Sequence, residues 1–368
     1  MSNPSDRVTP MLAESAISEL LEREVVSAGV APSAAAGFVV LGAEPIQRMG
    51  FAGQAEARSV FDLASITKTC VALTTSLLVE SGTVSWESKL HELLPWLGGT
   101  PGGIQSIEAH LSHRAGLAAH REFFIAQRAG LPVRRRDLLH QAATATRPGP
   151  STQPLYSDLG YLLVGEALEA RCGAPLDQLV RTHLTGPRGW SIGSARQWRA
   201  AGDEAFSAAL PTELVPGRGG AVRGMVHDDN AWALSGSALA GHAGLFGTLG
   251  GVLSLARALL VAARGSGDLE QAARRMLERR PGGSLRLGLD GVSGKDSSAG
   301  SLVGENTFGH LGFTGTSFWC DPDLGLAVCL LTNRVWPTRQ HAAIRAARPR
   351  VHDGLIRLAR ASMPAPVS

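Results

Sequence analysis

Ser65 and Lys68 stand three residues apart in the stretch Phe61-Asp-Leu-Ala-Ser-Ile-Thr-Lys. On a helix that spacing puts the hydroxyl and the amine on one face. A serine is a poor nucleophile until a base removes its proton. A lysine can serve when burial or nearby positive charge draws its pKa down, so Lys68 is expected to be largely neutral. The alternative is an ion pair with Asp158 that keeps Lys68 charged and leaves Tyr156 as the principal base. Tyr156 and Asp158 come together in Tyr156-Ser157-Asp158. A loop tyrosine near a positive charge ionises more readily and can shuttle a proton. The third stretch is His310-Leu-Gly312-Phe313. Its glycine lets a substrate lie close to the backbone, and the Phe313 N–H with that of Ser65 would make a two-donor oxyanion hole. Each group also has a plainer reading: a surface lysine, a tyrosine capping the core, an aspartate helix cap, a glycine-softened edge strand.

The elements that must carry these groups follow from periodicity. Ile66, Cys70, Leu73 and Leu77 recur at spacings of four, three and four, which predicts a buried helix ending near Gly82. Leu159–Arg171 and Gly250–Ala263 read as helices, as do residues 11–28 near the start. Residues 36–41 and 46–52 read as a hairpin running into the Ser65 helix. Near the other end, residues 313–320 and 326–331 read as strands, followed by a helix over 340–361 that Pro349 could break. Strands at both ends around a helical middle predict an α+β fold. One antiparallel sheet is formed by both termini and flanked by helices, with an inserted all-helical domain. The expected division is residues 1–85 plus 300–368 for the sheet domain and 86–299 for the insertion.

A chain of 368 residues, 18% charged and 44% hydrophobic, is globular and can bury a large core. Its net charge of +3 comes with short arginine clusters that read as solvated helix faces, which argues against a nucleic-acid partner. The first residues lack a basic stretch followed by an apolar one, so no signal peptide is expected, and no apolar run is long enough to span a membrane. Cys70, Cys172, Cys320 and Cys329 show no metal-like spacing and read as buried thiols in a reducing cytoplasm, with a single disulfide as the alternative.

Taken in order, Ser65-Ile-Thr-Lys68, Tyr156-Ser-Asp158 and His310-Leu-Gly312 resemble the three-motif signature of class C β-lactamases, penicillin-binding DD-peptidases and related esterases. The resemblance extends to His113-Arg-Ala-Gly-Leu117, Gly241-His-Ala-Gly-Leu-Phe246 and Leu331-Thr-Asn-Arg334, and covers roughly residues 15 to 360. It implies a β-lactamase/transpeptidase-like fold with the active site between sheet and helical domain. It also implies acylation of Ser65, with Lys68 and Tyr156 relaying its proton. No cofactor is expected, and no metal, since no carboxylate-histidine motif accompanies the histidines. Three departures bear on substrate. Asp158 replaces the usual asparagine, His310 the usual lysine and Leu311 the usual threonine. A fixed cation for a substrate carboxylate is therefore lost. The expected substrate is a small ester or amide, such as a short ester or a cell-wall fragment, with weak lactam turnover. A D-amino-acid peptidase is the runner-up. A non-catalytic binding module would not need all three of Ser65, Lys68 and Tyr156. His110, His113 and His120 read as structural. Glu213, His227, Asp228 and His242 fall in loops that would line the cleft or brace it, with bracing preferred.

Overall fold

The computed structural model describes residues 5–125, 134–147, 153–202, 207–235, 238–294 and 296–363. Residues 1–4 and 364–368 of the expected sheet domain lie outside the described residues. The long helices are α1 (Ser5–Leu21), α2 (Ile66–Glu80), α3 (Asp158–Cys172), α4 (Leu249–Ala263) and α5 (Ile344–Ser362). Strands β1 (Ser33–Val40) and β2 (Ile46–Gly53) come early. The last ones are β8 (Asp290–Gly291), β9 (Phe308–Leu311), β10 (Ser317–Asp321) and β11 (Leu326–Thr332). These six make one sheet in the order β2-β1-β11-β10-β9-β8. Every neighbouring pair is antiparallel, with Gly37 of β1 opposite Cys329 of β11.

Strand β1 is buried along its whole length, so its sequence shows no polar face. Its side chains still alternate between two cores. Ala36, Phe38 and Val40 pack with Ile17 and Leu21 of α1 and Val351 and Leu355 of α5. Ala35 and Val39 face the other way, into a core shared with α2, α3 and α4. The sheet is thus a layer between two sets of helices, and the α+β class is as expected.

Three local readings change. Residues 313–320 are not one strand: a turn at 312–316 separates β9 from β10, so His310 lies on the strand before the turn. Gly315, at φ +100°, supplies the backbone conformation this turn requires. Asp158 opens α3 as its first helical residue, and Ser157 takes the capping position. Pro349 lies inside a continuous α5 and does not break it.

The segment between α2 and β8 is mainly helical but also contributes to two small sheets, one of them completed by a strand that precedes α2. One joins β3 (Phe61–Asp62), β7 (Leu245–Gly247) and β4 (Ile192–Ser194); the other pairs β5 (Pro211–Val215) with β6 (Gly220–Arg223). Among the described residues no helix is long and apolar enough to cross a membrane.

Candidate active site

Ser65 is delivered by a short strand and a strained corner. Strand β3 is fixed by pairing Asp62 with Phe246 of β7, and the Leu63 N–H donates to Leu245 O at 2.9 Å. Ala64 then sits at φ +46°, a conformation an L residue adopts only under constraint. Its N–H donates to the buried Asp62 carboxylate at 2.8 Å, which helps hold it there. Ser65 follows at the N-terminus of α2, and the first turn of α2 is buried on all sides, Lys68 included.

The Lys68 amine donates to Ser65 Oγ at 2.8 Å and to the backbone carbonyl of His242 at 3.1 Å. The second bond depends on Gly241, where a Cβ would lie 1.8 Å from the Tyr161 carbonyl oxygen. Any side chain there would push the loop away from α3. Lys68 also forms an ion pair with Asp158 Oδ1 at 2.7 Å. Burial alone would push the Lys68 pKa down, but the Asp158 carboxylate and the Tyr156 phenol together outweigh it and raise it. The same lysine overrides the effect of burial on Asp158 and holds that carboxyl well below the usual range. The expectation of a neutral Lys68 is therefore corrected, and the ion-paired alternative is the one found. Burial raises the Tyr156 phenol even though it hydrogen-bonds Lys68 and Ser65, so it is protonated at neutral pH. That also corrects the idea of an easily ionised tyrosine.

The turn between β9 and β10 is fastened to the residues just before Ser65. Thr314 Oγ1 donates to Asp62 O at 2.7 Å and Thr316 Oγ1 to Leu63 O at 3.2 Å. Arg348 of α5 donates to Gly312 O at 2.6 Å, and Arg334 donates to Phe313 O at 2.7 Å. At Gly312 a Cβ would come within 2.0 Å of Thr316 Oγ1 and 2.7 Å of Leu63 O, so only glycine permits this approach. Among the described residues the N–H groups of Ser65 and Phe313 donate to no protein acceptor. The Phe313 ring is half exposed, stacked on His227 at 5.7 Å and on the Arg334 guanidinium at 4.4 Å.

The histidines divide by environment. His310 is buried, and burial followed by the Lys68 charge lowers its pKa to about 4. It is neutral at physiological pH and its Nδ1 pairs with Leu311 O at 2.8 Å, so no fixed cation stands where its motif would carry one. His113, lowered to about 3 by burial and then by Lys68, accepts the Ser157 N–H at 3.0 Å and stacks on the Tyr156 ring at 4.5 Å. His110 is buried, with its Nε2 2.9 Å from Gly102 O. His120 is different from these two. Its Nδ1 lies 3.6 Å from Asp158 Oδ2, and that carboxylate raises its pKa.

Among the undecided residues, Glu213 braces. It holds Arg339 at 2.6 Å and His227 at 2.9 Å, beneath Phe313. The Asp228–His242 pair at 2.8 Å stands beside the Lys68 site, since the His242 carbonyl is a Lys68 partner. Spacing within the sequence gave no signal for His120 or for the Thr314 and Thr316 fastenings. The one available clue to His120 was the acidic residue at 158, which calls for a partner.

A family model described as Beta-lactamase matches residues 19–351. The N-acetylmuramyl-L-alanine amidase of Bacillus subtilis (strain 168) is 28% identical over 305 residues, covering 75% of this chain and 68% of that protein. A protein of Escherichia coli (strain K12) described as a candidate D-alanyl-D-alanine carboxypeptidase is 28% identical over 201 residues. That alignment covers 50% of this chain and only 46% of the relative. A solved class C β-lactamase from Rhodobacter sphaeroides superposes with a TM-score of 0.69, covering 94% of this chain and 99% of that one. At 17% identity this last likeness is one of fold.

Proposed function

Because the chain belongs to the Beta-lactamase family, whose members are serine hydrolases, we propose that it cleaves an ester or amide through an acyl-enzyme on Ser65. The observation that carries this reading is the Lys68 amine 2.8 Å from the Ser65 hydroxyl, in a fully buried first helical turn. Lys68 is an ammonium at rest, so it can accept a proton only by passing one on. In our reading it passes a proton by way of Asp158 to His120 as it takes that of Ser65; Asp158, held well below the usual range, relays the proton and His120 keeps it. Ser65 Oγ bonds to the carbonyl carbon while the carbonyl oxygen takes up negative charge facing the free amides of Ser65 and Phe313. Tyr156, kept protonated by burial, donates to the departing alkoxide or amine and is reprotonated through Lys68 from the Asp158–His120 store. Water then releases the acyl group by the same steps in reverse.

The division into a sheet unit (1–85 and 300–368) and a helical unit (86–299), with the site in the cleft between them, belongs to this proposal. So does a cytoplasmic location, which suits the free thiols of the four cysteines.

Substrate choice follows from the neutral His310 and the carboxylate at 158. A lactam carboxylate finds no fixed cation here, a charge-assisted contact worth about 1.5–3 kcal/mol, or roughly ten- to a hundredfold. Uncharged esters lose nothing and have better leaving groups. We therefore assign the protein as an esterase with weak lactam turnover. The second reading, a cell-wall amide or peptide hydrolase, is favoured by the similarity to the Bacillus amidase. Labelling with a fluorophosphonate and intact-mass analysis should give one adduct, absent in Ser65→Ala. Relative kcat/KM for p-nitrophenyl acetate, nitrocefin, a D-Ala-D-Ala peptide and a muramyl peptide then ranks the substrates. Nitrocefin turnover above ester turnover would overturn the esterase assignment, and the peptides ranking first would select the second reading.

A further inference from the structure

Beside the edge strand β8 lies a cavity of about 680 Å³, lined by Arg279, Arg280, Arg286, Gly291 and Glu305 among others. Its arginines are unequally matched. Arg280 is held by Glu108 at 2.6 Å and Glu278 at 3.8 Å, and Arg279 faces the freely exposed Glu305 at 3.8 Å. Arg286 is 6% exposed and has no carboxylate within ion-pair distance among the described residues. Its guanidinium donates to the carbonyls of Leu277 at 2.9 Å and of Asn306 and Thr307 at 3.4 Å, and packs on the Phe308 ring. Asp290 on β8 acts on Arg286 electrostatically from beyond ion-pair distance; burial raises its carboxyl pKa, and Ser284, the Gly291 N–H and the Arg286 charge only partly offset that. A buried guanidinium whose hydrogen bonds all go to neutral carbonyls, with its one nearby carboxylate acting only at a distance, still favours an anion beside it.

Two stretches of chain connect the cavity lining to the elements of the Ser65 site. Gly282 packs so closely on the residues before Tyr156 that a Cβ there would lie 2.8 Å from Pro154. Strand β9 leads from Gly309, paired with Asp290, to Leu311, about 7 Å at the ordinary rise of a strand, where the turn that carries Phe313 begins.

We propose that this cavity is an anion-binding subsite for a carboxylate or phosphate on the part of the substrate remote from the reacting carbonyl. The inference rests on the hydrolase reading above and deepens it: a carboxylate next to the scissile bond is disfavoured, whereas one at the far end is held.

The test is a series of p-nitrophenyl esters of increasing acyl length ending in a carboxylate, a phosphonate or a neutral methyl ester. The readout is the ratio of kcat/KM for the anionic to the neutral ester, taken within each protein so that folding and general activity cancel. In wild type the ratio should rise at least tenfold with length. It should collapse toward one in the exposed-site variant Arg279→Gln and in Arg286→Gln. The charged terminus that gives the larger ratio identifies the preferred anion. A ratio that stays flat at all lengths, or one that survives in both variants, overturns the subsite. If no ester is turned over, the hydrolase reading has failed. Calorimetric titration of sebacate into Ser65→Ala, with and without Arg279→Gln, then decides the subsite alone: saturable binding lost in the double variant supports it, and no binding overturns it.

Discussion

Lys68 and Asp158 neutralise one another, and that pairing governs how the serine could be activated. An ammonium that must release a proton before accepting one makes the acceptor beyond Asp158 important, and His120 occupies that place. Neutral His120 is the form that accepts, and Asp158 raises its pKa. Activity should therefore rise with pH through an acid limb set above the ordinary histidine value. In Asp158→Asn the carboxylate is gone, so the limb should move to lower pH while kcat/KM falls. A pH profile of both proteins on p-nitrophenyl acetate measures this, and an unmoved limb would remove His120 from the relay. Ser65, Lys68 and Tyr156 were legible as a set because each residue type carries its own chemistry at readable positions. Their charge states were not. Whether Lys68 is neutral depends on which oxygen lies 2.7 Å from it, and Asp158 comes from a helix ninety positions away in sequence.

At the scale of elements, the turn over residues 312–316 shows why strand composition misled. Phe313, Thr314 and Thr316 are β-type residues, yet their conformation is dictated by Asp62, Leu63, Arg334 and Arg348, none of them local. In Gly312→Ala the new methyl meets the Leu63 carbonyl and displaces the turn. Loss of one aligned oxyanion donor lowers kcat by about 10²–10³. Steady-state kinetics beside circular dichroism should show that loss in a folded protein; activity within threefold of wild type would exclude the turn from catalysis. The β5–β6 hairpin has a bracing role with its own pH signature. Glu213 is lowered to about 2 because its bonds to His227 and Arg339 outweigh burial. A depressed carboxyl contributes stability above its unfolded value, and that contribution is lost as pH falls toward 2. Glu213→Gln should destabilise the protein by about 1–2 kcal/mol at pH 7, because Arg339 is partly exposed and keeps its Asp229 partner at 2.9 Å. The difference from wild type in urea melts should shrink as pH falls. A constant difference would mean the brace is not electrostatic.

Across the whole molecule, the sheet-and-helix class was legible because both chain ends carry apolar β-type runs and the middle does not. The two small sheets were not, because strands of two to five residues leave no periodic trace. One core runs from Ala35 and Val39 of the sheet through α2, α3 and α4. The described residues should therefore unfold together in spite of the proposed division into two units. Tryptophan fluorescence and loss of fluorophosphonate labelling, followed in the same urea series, should give one coincident midpoint; separated midpoints would reveal autonomous units. The Thr314–Asp62 and Thr316–Leu63 bonds join positions 252 and 253 residues apart. During vectorial synthesis at about 5–20 residues per second, Ser65 leaves the ribosome roughly 10–50 s before the residues that aim Phe313 at it. On the proposed reading, the nascent chain throughout that interval carries its nucleophile with only one of the two oxyanion donors, its own N–H. The serine would then stay weakly reactive until the last strands arrive, and proteolytic fragments lacking them would stay so too.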